Sequence, residues 1–144
     1  MLFAMGCSGS ASEPVPTPFT VTVTQLVSSV GRSVQLNGIT VYQCDFPITV
    51  STKGEYGWLL YWVGARANLT LTSNGNVVTR YADGHDVGNW FGSPALLAGD
   101  SANGTAQFSW SGPFTGALEI DYDVQAPLTA PKLARPLSII LACK

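Results

Sequence analysis

Charged side chains are scarce in this chain: Asp, Glu, Lys and Arg make up 11% of its 144 residues, against about 25% in an ordinary soluble domain. The seven basic residues are scattered along the sequence, whereas a nucleic-acid-binding surface normally clusters Lys and Arg to neutralise phosphates. No apolar run approaches the ~20 residues that a membrane-spanning helix needs. We therefore expect neither a nucleic-acid partner nor a membrane span.

Residues that carry catalysis are also few, with one histidine in the chain. Gly99-Asp100-Ser101 resembles the nucleophile segment of GDS-type hydrolases, but His85 precedes the serine and no histidine follows it. A serine without a general base is a weak nucleophile. The sequence therefore predicts no enzymatic activity.

Metal-ligating residues do not form a recognisable set either. His85 lies between Asp83 and Asp86, but a transition-metal site would recruit further ligands, so we interpret this segment as a solvated loop. A row of acids, Glu119, Asp121 and Asp123, could supply calcium ligands together with loop oxygens such as those of Asp100 and Asn103. We favour a simpler interpretation, the charged outer face of a strand. No metal and no cofactor are expected.

The three cysteines, Cys7, Cys44 and Cys143, are too few to form a disulfide framework. Cys44 and Cys143 both lie in predicted strands and are either a bonded pair or two buried free thiols. The segment from Leu2 to Cys7, followed by a Ser- and Gly-rich stretch, resembles the end of a bacterial lipoprotein signal. That resemblance implies a lipid-modified Cys7, and the alternative is an uncleaved extended arm.

Residues 1–18 are predicted to form this N-terminal arm, with prolines at every second position, Pro14, Pro16 and Pro18. Alternating prolines favour an extended conformation that cannot enter the interior of a sheet. The arm is therefore a candidate for binding a partner. Residues 19–144 are predicted to form a single domain.

Strand-like alternation dominates the rest of the chain, beginning with Phe19-Thr20-Val21-Thr22-Val23-Thr24. Hairpins are predicted at Asn37-Gly38 and across residues 73–76, and Pro47 is expected to interrupt a strand. Gly116–Val124 alternates apolar and acidic residues most clearly. No sustained helical period is present. These patterns predict an all-β, antiparallel sandwich of about eight strands, either a jelly roll or an immunoglobulin-like fold.

An aromatic pair in a polar, glycine-rich segment is the other candidate for binding a partner. Trp90 and Phe91 follow Asn89 between two glycines. Such a pair either plugs the end of a sandwich or anchors a partner, because buried aromatic rings dominate the energetics of interfaces. We take Asn89, Trp90 and Phe91, with the three arm prolines, as candidate partner-binding residues.

The leading functional hypothesis is a non-enzymatic structural protein of a phage or virus particle, either a capsid-decorating or a minor capsid subunit. It is motivated by the ion-poor surface, the sandwich and the proline-spaced arm, since shell subunits often extend arms across their neighbours. The expected partners are further copies of the chain, a major capsid protein, or both. The alternatives are a carbohydrate-binding module and a secreted or lipid-tethered bacterial surface domain.

Overall fold

Two β-sheets packed face to face form the protein in a computed structural model that describes residues 19–25, 27–71, 74–134 and 136–144. Pro14, Pro16, Pro18 and Cys7 lie outside these residues. The described elements are, in chain order, β1 (Phe19–Gln25), β2 (Ser28–Ser29), β3 (Arg32–Leu36), β4 (Ile39–Gly54), β5 (Leu59–Leu71), β6 (Val77–Asp83), α1 (Gly84–Phe91), β7 (Ala95–Leu97), β8 (Ser101–Trp110), β9 (Phe114–Gln125), β10 (Lys132–Leu133) and β11 (Leu137–Cys143).

The larger sheet has the strand order β2-β11-β9-β5-β6, with β7 also pairing with β5 and β10 with β9. Its pairs are antiparallel except for the short parallel pair of β11 with β2. The predicted hairpin across residues 73–76 is present, because β5 and β6 pair from Thr70 and Val77 onward. The strands predicted on either side of it are therefore confirmed.

The smaller sheet is built on the long strand β4, which pairs with β3 and β1 along one edge and with β8 along the other. Asn37 and Gly38 form the predicted turn between β3 and β4, with φ angles of 51° and 78°. Such left-handed conformations match the turns that join tight hairpins.

The expected interruption at Pro47 is wrong, because β4 continues through it. Along one edge of β4, pairing with β3 ends at Gln43 and pairing with β1 begins at Ile48. Pro47 lies in the interval between them, with a strand partner, β8, on the other edge. A residue without a backbone N–H is tolerated where a ladder is one-sided.

The core lies between the inner faces of the two sheets. Leu118, Ile120 and Tyr122 of β9 are buried as the alternation predicts, and the acids between them lie on the outer face. The largest fully buried side chains come from both sheets and include Phe46, Phe114, Ile48, Leu60, Leu118, Ile120, Ile139 and Leu141. The all-β sandwich is therefore confirmed.

Strand number and one local structure differ from the sequence prediction. The described residues form eleven strands, but three of them, β2, β7 and β10, have only two or three residues and are too short to show a period. The segment interpreted as a solvated loop around His85 begins α1 instead. This helix has only two turns, which is too short for a sustained helical period.

A disulfide bond between Cys44 and Cys143 joins the two sheets, with the Cα atoms 5.9 Å apart. Cys44 belongs to β4 and Cys143 to β11, and both are buried. Of the two alternatives open from the sequence, the bonded pair is therefore the one observed.

Candidate functional site

One side of the sandwich carries a cleft of about 390 Å³ between the two sheets. It opens between β6 and β8, and among the described residues no strand pairs with the outer edge of either. We call it the edge cleft. Its floor consists of Ala65, Ala67, Phe108 and Leu118, and its rim of Arg80, Tyr81, Ala82, Trp90, Gln107 and Ser109.

Small side chains on β5 create the space for the edge cleft. The inward positions of this strand carry Trp62, Leu69 and Leu71 at its two ends but alanine at 65 and 67. At positions 65 and 67 the inner face of β5 therefore carries only methyl groups, whereas the inward positions before and after them carry large side chains. The gap that they leave opens toward the edge of the sheet and produces an apolar floor.

Arg80 and Trp110 form one end of the edge cleft. Arg80 lies on β6, opposite Ala67 of β5. Its guanidinium carbon is 4.9 Å from the centre of the Trp110 ring on β8. This cation–π contact connects the two sheets across their open edges. An inward-facing charge on an edge strand also discourages pairing with a further edge.

Gln107 is held on the rim by Asp45 of the neighbouring strand. Its Nε2 donates to Asp45 Oδ1 at 2.7 Å, and Arg32 donates to Asp45 Oδ2 at 2.9 Å. The hydrogen bond from Gln107 is the main cause that lowers the pKa of Asp45. Partial burial opposes it, and the hydrogen bond and charge of Arg32 lower the pKa further. One carboxylate on β4 therefore joins β3 and β8.

Helix α1 forms the other end of the edge cleft and contacts β5, β6 and β8. The Phe91 ring is buried and stacks on Trp62 of β5, with 4.6 Å between centroids. The Trp62 indole Nε1 donates to the Ser93 carbonyl at 3.0 Å. Trp90, next to Phe91, is only partly buried and lines the cleft.

The ends of α1 are fixed by local backbone and side-chain bonds. The Asp83 side chain accepts from the Asp86 backbone N–H, and the Asp86 side chain accepts from the Asp83 N–H, which is a capping box. The hydrogen bond from Asp86 lowers the pKa of Asp83. Gly92 ends the helix with a φ of 71°, a conformation that glycine adopts without strain.

A second depression, of about 450 Å³, lies beside α1 and is lined by both Asn89 and Trp90. Its other side chains include Thr49 and Asn103, which are joined by a 2.6 Å hydrogen bond from the threonine hydroxyl to the amide oxygen. Trp90 therefore separates two depressions, one mainly apolar and one edged with hydroxyl and amide groups. We call the second one the polar depression.

The residues predicted to bind a partner fall into three groups in the structure. Asn89 is exposed and Trp90 is partly exposed, so both are accessible to a partner. Phe91 is 6% exposed and plugs the sandwich, so the plug is the alternative that the structure favours for this ring. Pro14, Pro16 and Pro18 lie outside the described residues.

Sequence reasoning missed the residues that shape the edge cleft, chiefly Ala65, Ala67, Arg80 and Gln107. The two alanines were visible as small residues at inward positions of a strand that was otherwise large and apolar. Arg80 was visible as a charge at an inward position of an alternating strand. The position of β6 opposite β8 across the open side depends on how the two sheets stack, which no local pattern encodes.

The residues considered for metal binding are not brought together into a site. The acids of β9 lie on the outer face of the larger sheet, whereas Asp100 and Asn103 belong to the other side of the sandwich near β8. Within the described ranges, no group of three or more His, Cys, Asp or Glu side chains could hold a metal ion. His85 is an exposed residue of α1.

Comparison with known proteins gives a likeness of fold. The chain superposes on a Northeast Structural Genomics Consortium target, SoR45, with a TM-score of 0.55 and 17% identity, over 87% of this chain and 86% of that one. A Bordetella pertussis protein provisionally named ApaA gives 0.55 and 16% identity, over 88% and 95%. No family model matches the chain, and no curated protein matches it. At these identities the likeness shows a shared fold alone.

None of the described residues belongs to a helix that is long and apolar enough to span a bilayer.

Proposed function

We propose that this chain is a non-enzymatic interaction protein that binds neighbouring protein subunits through its edge cleft, as a component of a phage or virus particle. The observation that carries the proposal is the cleft itself, an apolar floor between two open sheet edges with Trp90 and Arg80 on its rim. Aromatic and arginine side chains are the residues that anchor protein interfaces most often. A capsid-decorating or minor capsid subunit is the specific role proposed.

Two further features support a role in an assembly. The scarcity of charge leaves an outer surface of hydroxyl and amide side chains, for example Thr22, Ser51 and Ser101 across three adjacent strands. Many copies on one particle also allow a weak interface to suffice, since binding at several points multiplies the affinity.

The disulfide bond supports the proposed location. Disulfides persist in oxidising surroundings, which include virion surfaces, the periplasm and the cell exterior. The buried bond between Cys44 and Cys143 therefore supports a virion and equally the alternative of a secreted or surface-tethered bacterial domain. Mass spectrometry of the N-terminus separates the last alternative, because lipidation would add the mass of acyl chains to Cys7.

Sedimentation velocity over a range of concentrations tests the proposed function. We expect the full chain to self-associate, and we expect Ser109→Arg, which fills the rim of the cleft, to weaken association about tenfold or more. Ser138→Arg is the matched control, since Ser138 is an exposed serine of β11 away from the cleft. A chain that stays monomeric at all concentrations would overturn the proposal.

A carbohydrate-binding module is the second candidate function, and the polar depression favours it. Asn89, Thr49 and Asn103 offer amide and hydroxyl groups beside the Trp90 ring, the combination of stacking surface and hydrogen-bonding groups that suits a sugar. A glycan array probed with and without a chelator tests it, with Asn89→Ala as the variant expected to lose signal. Absence of binding in both conditions would remove this candidate.

A further inference from the structure

We propose that the edge cleft of one copy holds the segment Glu13–Pro18 of a second copy, so that the chains associate by exchanging their arms. This inference rests on the proposed function and names the occupant of its site. Four properties of the cleft and the segment carry it: hydrogen-bonding pattern, length, charge and reach.

The hydrogen-bonding pattern of the segment suits an open sheet edge. In an extended chain, successive residues point their N–H groups to opposite sides. Prolines at 14, 16 and 18 remove the donors from one side, while Val15 and Thr17 keep theirs on the other. Such a segment can pair with one strand edge but cannot accept a further strand beyond it. The outer edge of β8 is the pairing surface that lines the cleft.

The length of the segment matches the available edge. Helix α1 limits the open edge of β8 at Gly104, where the Phe91 ring and the Trp90 carbonyl lie closest. The Arg80 contact limits it at Trp110. Gly104 to Trp110 spans six strand rises, about 20 Å, and Glu13 to Pro18 spans five rises, about 17 Å, in the same extended conformation. The six residues Glu13–Pro18 therefore fit within this interval.

The charges of the two partners are complementary. Glu13 is the one ionisable side chain in residues 1–18 besides Cys7, and Arg80 is the one charged side chain on the cleft. Placing Glu13 beside Arg80 puts Pro18 at the Trp90 end, where an aromatic ring can pack against a proline ring. Extended proline-rich chains also lose little conformational entropy when they dock.

The reach of the arm excludes binding to the cleft of its own chain. Phe19 pairs with Gly54 at one end of β4, whereas Ser109 of the cleft pairs with Gln43. These positions are about 36 Å apart along the strand. Ser12, seven residues before Phe19, extends at most ~25 Å from it. The occupant must therefore come from another copy.

Cysteine cross-linking of two full-length variants tests the proposal. Both carry Cys7→Ser; one adds Ser12→Cys in the arm and the other Ser109→Cys in the cleft. After mixing and mild oxidation, we expect a disulfide-linked heterodimer on a non-reducing gel. Ser138→Cys replaces Ser109→Cys as the matched control and should give a yield at least about tenfold lower. Equal yields at both positions, or no heterodimer, would overturn the proposal.

A charge exchange provides the second readout. Glu13→Arg should lower the cross-linking yield about tenfold, because it places two cations together. Adding Arg80→Glu to the cleft partner should restore the yield. Failure of the second change to rescue the first would count against this orientation of the segment, since Glu13 would not then contact Arg80.

The two proposals fail in different ways. A chain that self-associates through a cleft sensitive to Ser109→Arg, yet gives no arm cross-link, retains the proposed function and loses the proposed occupant. A chain that never self-associates loses both. Cross-links that form with equal yield at Ser138 overturn the arm exchange alone.

Discussion

The indole of Trp62 and the ring of Phe91 stack with their centroids 4.6 Å apart and their planes inclined by 17°. This pair fastens α1 to the central strand β5 and closes one end of the sandwich. The same helix places Trp90, the next residue along the chain, between the edge cleft and the polar depression. A contact that belongs to the core thus determines where an accessible aromatic side chain lies.

Removing the Phe91 ring should destabilise the protein strongly. Phe91→Ala deletes a buried ring and its stacking partner's contact, so we expect a loss of about 3–5 kcal/mol in the free energy of unfolding, measured by denaturant titration. Asn89→Ala, an exposed position of the same helix, should change it by less than about 0.5 kcal/mol. A small effect of Phe91→Ala would mean that the ring does not plug the sandwich.

A methyl group at position 104 should displace α1. A Cβ there would lie 2.7 Å from the Phe91 ring and 2.9 Å from the Trp90 carbonyl oxygen, both too close for contact. We expect Gly104→Ala to cost about 1–3 kcal/mol of stability and to shift the Trp90 fluorescence. Gly112→Ala is the matched control, since a Cβ at 112 meets nothing within 4 Å. Equal effects of the two changes would contradict this explanation.

Removing the disulfide bond between the two sheets should lower the stability of the protein substantially. Replacing Cys44 and Cys143 together by Ala should lower the free energy of unfolding by about 2–5 kcal/mol, because the two cysteines are 99 positions apart in the sequence and the bond restricts a long loop of the unfolded chain. Urea denaturation of the oxidised protein and the variant measures the difference. Thiol titration of unreduced, denatured protein should find at most one free thiol among the three cysteines; three would disprove the bond.

Stability should fall in acid partly through Asp45. Its folded-state pKa is lowered by the Gln107 and Arg32 contacts, so the charged carboxylate stabilises the fold above its unfolded pKa of about 3.9. That contribution is lost as the pH falls through the lower folded-state pKa. With the side chains of Arg32 and Asp45 53% and 33% exposed, the loss should be at most about 1 kcal/mol.

Denaturation at a series of pH values checks this effect. Asp45→Asn should be less stable than the native chain at pH 6, and the difference should shrink as the pH falls below the unfolded-state pKa of about 3.9. Asp123→Asn, on the other sheet, is the control for removing one carboxylate. A difference that persists unchanged at pH 2.5 would show that Asp45 acts through packing rather than through its charge.

Period-two patterns were sufficient to predict the sandwich because each long strand buries one face. Gly116–Val124 is the clearest case, since Leu118, Ile120 and Tyr122 are buried in the core and Val124 packs against it. The Asn37-Gly38 turn could also be predicted from the sequence, because few residue pairs adopt two successive left-handed conformations. These features depend on neighbours in the sequence, and local chemistry therefore determines them.

Features that depend on contacts between distant residues were harder to predict from the sequence. The tolerance of β4 for Pro47 follows from which strands flank it, and the helix at Gly84–Phe91 is stabilised by its contacts with three strands more than by its own glycine-containing sequence. Its capping pair, Asp83 and Asp86, was a readable signal of a helix start. The edge cleft required the stacking of the two sheets, which the sequence pattern leaves open.

The bond between Cys44 and Cys143 makes most of the chain a covalent ring. A protease that cuts a turn inside this ring, such as the one at residues 111–113 between β8 and β9, releases no fragment. The two products remain tied together until the disulfide is reduced. A clipped molecule therefore migrates as intact protein without reductant and as two pieces with it, and one backbone break inside the ring would not release either sheet.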